Sequence, residues 1–375
     1  MDPAVLSRQM KGISKVTVVF LIQQLCLAAT PGQPAHKDRE FTEFFRRSSG
    51  WTAGDGALSV PLAGGRVLWL FGDSHLDDID PATGTMPCLF QTRNAGLLQQ
   101  KNDLRNARTL AGDGPVFRSW LRNSKDETKE WFWPLGGFQN GETVWVYLSA
   151  LRKTEAGGAF GFESSGYDYW AKIKFPKMEP ETYTALPDFN GITFGDGFIM
   201  EGEYVYAFGG KQHGLASDLY VARFKRRQPT SNWNFWDGKN WSNDVKKAAP
   251  IAYGRSNSIH VCKIKDHFLL TTSEFSVGCD QGKQIFMATS QKPTGPFGPL
   301  KAVFTVDDTY QGHLPFFYFA AAHPEFINAA DELLVTYSIN NYEPCVSGCI
   351  NGRAIPDHYR PKAIRLPLKA IDPVW

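Results

Sequence analysis

The sequence has almost no net charge, only +2 over 375 residues. The first 29 residues carry Arg8, Lys11 and Lys15 against Asp2, and the remainder is balanced between acids and bases. That balance removes the electrostatic basis for binding nucleic acid or an anionic membrane surface. Long hydrophobic runs are also missing. The one extended apolar stretch, Val16 to Ala29, is interrupted by Gln23 and Gln24 and is too short for a comfortable membrane span. Cysteine is scarce. Cys26 lies in that stretch, and Cys88, Cys262, Cys279, Cys345 and Cys349 follow. No second close Cys/His pair accompanies Cys345 and Cys349, so zinc-ligand spacing is absent.

What remains is rich in rings and turns. Aromatics make up 14% of residues and charged residues 21%, with 35 glycines and 23 prolines. Such a mix suits many short strands joined by tight turns, and it supplies enough apolar surface to exclude disorder. The N-terminus reads as a signal peptide over residues 1–29. A basic stretch ends at Lys15, the apolar run follows, and Leu27-Ala28-Ala29 precedes Pro31-Gly32. Leu25 before Cys26 fits a lipoprotein signal poorly. The expectation is a secreted or periplasmic, monomeric protein with one mature domain over residues 40–375. Five mature cysteines leave at least one free. Cys345 and Cys349 share a Gly-containing loop and are expected to pair with each other or with Cys279.

An internal repeat organises the chain. Five apolar runs begin at Arg66, Thr143, Tyr204, His267 and Glu332, spaced 61 to 77 residues apart. Each follows a turn signal: Gly64-Gly65, Asn140-Gly141, Glu201-Gly202, Lys265-Asp266 and Ala330-Asp331. A second set of segments precedes the turns: Ala53-GDGA, Pro134-LGGF, Phe194-GDGF, Gly254-RSNS and Ala322-HPEF. Their small residues suit strands crowded round an axis. Third and fourth strands fall between repeats, and Trp233-NFWDGKNW reads as an outer hairpin. Five units of four strands predict an all-β, five-bladed propeller of antiparallel blades starting near residues 51, 131, 191, 252 and 318. The last unit lacks a fourth strand, which Glu40-FTEFF is expected to supply. A two-sheet sandwich leaves the single period unexplained.

The segments before each turn are the predicted channel-lining strands, so their polar residues are the first site candidates. Asp55, between Gly54 and Gly56, and Asp73, after Phe71-Gly72, lie on neighbouring strands of one blade. A hairpin of that length brings both carboxylates to one mouth. Glycoside hydrolysis needs such a pair, one to protonate the leaving oxygen and one to attack the anomeric carbon or activate water. The competing reading is an Asp that caps a turn through its own backbone. Glu274 is a third catalytic candidate, read otherwise as a solvated strand end. Asp196 repeats the Gly-Asp-Gly pattern. Asp196, Asn257, His323, Glu325, Tyr359 and Arg360 are candidates to bind the substrate, and Trp51 and Trp133 to present flat apolar platforms. No organic cofactor is expected. A channel metal ion, shared by Asp196 and His323, is left open.

At these residues the chain resembles five-bladed propellers grouped as domains of unknown function, some now placed with endo-D-arabinofuranose-cleaving glycoside hydrolases. The matching stretches are Trp69-LFGDS, Ser290-QKPTGPFG, Ala322-HPEF and Tyr359-RPKAIRL, within residues 45 to 370. The resemblance implies an Asp–Asp catalytic pair, mapping onto Asp55 and Asp73, and a later Glu acid, for which Glu274 is the nearest position although its flanks match poorly. The Trp-x-Asp-Pro-Asn start of invertase-like propellers and the repeated boxes of sialidases are both missing. The expected activity is therefore hydrolysis of a furanose-containing, arabinan-like polysaccharide. Two alternatives stand beside it. One is a non-catalytic carbohydrate-binding propeller. The other is a polysaccharide lyase using His323 as base, with Tyr359 and Arg360 beside it.

Overall fold

The computed structural model describes residues 35–375 except 91, 102, 115–117, 123–125, 155–160, 277, 341–345 and 347. The expected signal peptide lies outside the described residues, as does Cys345. From residue 35 onward the chain forms five antiparallel sheets of the predicted propeller. Their innermost strands are Trp51–Leu62, Glu130–Asn140, Thr193–Glu201, Ile259–Ile264 and Phe316–His323. Each packs on the next, and Trp51–Leu62 touches both the second and the fifth, which closes the ring.

Local sequence explains each blade. The second strands Arg66–Leu76, Thr143–Lys153, Tyr204–His213, His267–Ser273 and Glu332–Asn340 are the β-branched and aromatic runs. The turns before them hold residues in the left-handed region, such as Lys265 and Asp331. Blade three carries the outer hairpin, Asn234–Trp236 with Trp241–Ser242. Buried side chains gather in five seams between adjacent blades. Leu68 and Leu70 of blade one meet Val144 and Val146 of blade two, and Leu269 of blade four meets Val335 of blade five. A blade is thus apolar on both faces, because it has a neighbour on both. The inner strands approach so closely that a Cβ on Gly197 would stand 2.1 Å from the carbonyl oxygen of Val261 on the next blade.

Two expectations are corrected. Blade five is completed by His36–Lys37, which pairs antiparallel with Lys362–Pro367. Arg39–Phe44, overlapping the stretch expected to be that strand, is instead a helix. Its Phe41 and Phe44 recur at helical spacing and fill the seam between blades five and one, against Trp69 and Phe326. For Cys349 the disulfide is also different: it bonds to Cys88, across 261 residues. Spacing favoured local partners, whereas the short ribbon of Met86–Pro87 with Arg353–Ala354 brings the distant pair together. Cys279 is disulfide-bonded too, and Cys262 is free and buried.

Ring closure leans on Asp38. Its carboxylate accepts from the Phe41 backbone N–H at 3.0 Å, capping the helix, and pairs with Arg365 at 2.6 Å where both side chains are mostly buried. Asp38→Ala leaves Arg365 uncompensated and the helix uncapped, so it is expected to cost about 3 kcal/mol. Denaturant melts read this as a lower midpoint with an unchanged slope.

Candidate active site

The two aspartates meet at one end of blade one. The inner and second strands pair Gly54 with Ser74 and Gly56 with Phe71, so Asp55 sits at a register shift opposite Gly72 and Asp73. Such a bulge re-aims the side chain of its extra residue. The Asp55 carboxylate lies directly over Gly72, where a Cβ would come 2.5 Å from Oδ1. Any side chain at 72 would displace it, which explains the glycine before Asp73.

Each carboxylate has its own donors. Asp55 Oδ2 accepts from the Tyr318 hydroxyl at 3.0 Å and the Tyr359 hydroxyl at 3.3 Å. Asp73 Oδ1 accepts from Trp133 Nε1 at 3.2 Å and from Arg93 at 3.4 Å. The Arg93 guanidinium lies 4.0 Å over the Trp131 ring and 5.1 Å over Phe90, a stacked arrangement that fixes its plane. Trp133 is half-buried, with Phe162 edge-on to it at 5.0 Å.

Burial disfavours charge on both acids, and the tyrosine donors offset part of this for Asp55, which is pushed up to about 6. Asp73 is pushed up to about 8, first by burial and then by the negative charge of Asp55, with Arg93 and Trp133 opposing. Burial and the mutual repulsion of the two carboxylates thus favour one shared proton over two negative charges. Removing the Arg93 charge should raise Asp73 further. In Arg93→Gln, a carboxyl titration followed by carbon NMR is expected to show its midpoint rise by about one unit or more; an unmoved midpoint would separate Arg93 from this carboxylate.

Other candidates fall elsewhere. Asp196 occupies the matching bulge of blade three, where the register shifts between Phe194 and Gly197, and burial alone pushes its carboxyl well up. Near it the Tyr147 hydroxyl donates to Asp168 at 2.7 Å, and burial raises Asp168 to about 6. Glu274 spends its carboxylate on its own hairpin: Oε2 accepts from the backbone N–H of Lys283 at 2.6 Å and of Gln284 at 3.1 Å. Asn257 is exposed in the loop before blade four.

Four expected contacts need correction. Trp51 is fully buried, stacked on Phe71 at 4.2 Å, and has no face left for a sugar. Arg360 is a structural clamp that donates to the carbonyls of Thr52 and Arg47 and to Asp357. His323 and Glu325 lie toward the opposite end of the fifth inner strand. Phe316 pairs with Asn340 at the end near Asp55, and His323 pairs with Leu334 at the other. His323 is buried with Nδ1 bonded to Ser59 at 2.6 Å and Nε2 to Thr336 at 2.8 Å. Both ring nitrogens are engaged, which leaves none for an ion or for proton abstraction. Glu325 Oε1 is buried without a partner.

Sequence reasoning missed Tyr318 and Arg93. Tyr318 was hidden because the motif Ala322-HPEF marks the far end of its strand, whereas the Gly-Asp-Gly motifs mark the near end. Counting from the register shift of each inner strand aligns Tyr318 with the bulges carrying Asp55 and Asp196.

Fold and site define a five-bladed propeller with two adjacent carboxylates, Asp73 buried and Asp55 half-buried, at one end of its first blade. The chain belongs to the family described as "Domain of unknown function (DUF5005)", whose model matches residues 38–368. No curated protein matches it. Among solved structures it is similar to a candidate hydrolase from Bacteroides ovatus, with 20% identity over 88% of this chain and 89% of that one and a TM-score of 0.66. Weaker likenesses include exo-β-1,3-galactanase from Phanerochaete chrysosporium, at 11% identity, 86% and 63% coverage and a TM-score of 0.46. Inulosucrase from Halalkalicoccus jeotgali is similar at 14% identity, with 80% and 83% coverage and a TM-score of 0.47. At these identities the likeness is one of fold.

Proposed function

We propose that this protein is an exported glycoside hydrolase acting on a furanose-containing, arabinan-like polysaccharide. One observation carries the hydrolase reading: two adjacent carboxyls, each held by its own donors, which burial pushes above the ordinary carboxylate range so that one can stay protonated beside a charged partner. This is the division of labour that glycosidic cleavage requires. Asp73 gives its proton to the leaving oxygen as the bond from the anomeric carbon breaks. Asp55 attacks that carbon, or takes a proton from the water that does. Tyr318 and Tyr359 stabilise the Asp55 charge beforehand, and Trp133 with Phe162 offers rings against which a sugar can pack. The Bacteroides ovatus likeness agrees with a hydrolase. The Cys88–Cys349 disulfide supports an oxidising compartment. The furanose preference rests on the resemblance of Trp69-LFGDS and Tyr359-RPKAIRL to arabinofuranose-cleaving propellers.

Incubation with a panel of arabinans and other plant and bacterial glycans, followed by chromatography of the products, tests the assignment. New reducing ends from an arabinan are the expected result. A different cleaved glycan would replace the substrate and keep the class. No cleavage of any glycan, with binding of one retained, would replace hydrolysis by recognition alone.

A further inference from the structure

An arginine-lined groove lies at the other end of blade one. Arg47, Arg66, Arg105 and Arg108 line an open groove of about 450 Å³ together with Gln100 and Asn106. Four guanidiniums in one groove repel one another unless an anion lies between them. Yet none of the four forms an ion pair among the described residues, although six other arginines of the chain do. Their fixed contacts are neutral. Arg47 donates to the Ala107 carbonyl at 3.0 Å, Arg108 donates to the Lys177 carbonyl at 3.0 Å, and Arg66 lies 5.2 Å over the Phe175 ring. The Arg47 Nε–H is buried without an acceptor, and burial lowers the affinity of its guanidinium for the proton. A buried donor without an acceptor costs stability, and an oxyanion would satisfy it. The acid nearest in sequence, Asp103, turns its carboxylate to the backbone N–H groups of Arg105 and Asn106.

We infer that this groove binds an oxyanion, namely a sulfate or phosphate group, held by Arg66, Arg105 and Arg108 with Arg47 at its base. Planar guanidiniums match such groups bidentately. The groove is separate from the carboxylate pair. Arg66 pairs with Leu62 and Gln100 at the far hairpin end, seven strand residues from Asp55 or roughly 20 Å at the rise of a strand. It suits a free ion or an ester group borne on a glycan chain, and it does not depend on the catalytic assignment.

Calorimetric titration at low salt separates the sources, with inorganic sulfate, inorganic phosphate, dextran sulfate and neutral dextran as probes. The wild-type protein is expected to bind at least one anionic probe and to ignore neutral dextran. The double variant Arg66→Gln, Arg108→Gln is expected to lose that affinity tenfold or more. Arg105→Gln, at an exposed side chain, should weaken it about threefold and serves if the double variant fails to fold. Binding of the inorganic ions and its loss in the variant assigns a free anion. Binding of dextran sulfate alone, lost in the variant, assigns ester groups on a chain. Affinity unchanged in both variants, or no binding of any anionic probe, overturns the site.

Discussion

Asp73→Asn is expected to lower glycan hydrolysis about 10³-fold while the protein stays folded, and Asp55→Asn to do at least as much. The amide keeps the shape of the carboxyl and an oxygen to accept from Arg93 and Trp133, so binding survives. It cannot deliver a proton. The Asn at 55 cannot attack carbon or deprotonate water. The losses should appear in kcat with KM little changed, because the removed groups act on the bonds being made and broken. The two losses should not add, since both groups serve one step. The pH profile of the wild type gives the same assignment independently. Below about 6 the rate falls as Asp55 takes a proton, and above about 8 it falls as Asp73 loses one. Unimpaired hydrolysis by either variant would end the assignment of this pair.

The same substitution should make the protein more stable in alkali. In the folded protein Asp73 is pushed up to about 8 from the ordinary carboxyl value of 3.8. Between those values the folded state binds the proton and the unfolded state releases it, so stability falls as pH rises through this window. Below it both states are protonated and the penalty is absent. Above it the penalty is complete, on the order of several kcal/mol for a shift of this size. Asn does not titrate. Asp73→Asn should therefore melt several degrees above the wild type at pH 9 and together with it at pH 4. A gap that is constant across that range would mean that Asp73 is not held protonated. The site would then be an ordinary ion pair with Arg93.

The legible parts of this molecule were those encoded within a few residues. Turn pairs such as Asn140-Gly141 and the apolar runs after them mark the hairpins, because a turn residue and its flanking strands are neighbours along the chain. Their period gave the blade count. The glycine beside Asp73 marked the position that the Asp55 carboxylate needs empty. The helix Arg39–Phe44 was misread because its aromatic run suits a strand as well as a helix. What decides for the helix is the apolar seam it fills between blades one and five.

Sequence alone therefore marked the repeat, the hairpin at each turn signal and the two aspartates as site candidates. Tertiary structure decided everything that spans blades. It chose His36–Lys37 to close the ring, joined Cys88 to Cys349, and brought Tyr318 and Tyr359 to Asp55 across more than 260 residues. It also set His323 toward the opposite end of its strand from the pair, where Ser59 and Thr336 hold it. The reason is physical. A hairpin is specified by local turn geometry, whereas which end of a strand faces which neighbour is settled only when five blades pack their apolar faces into one ring.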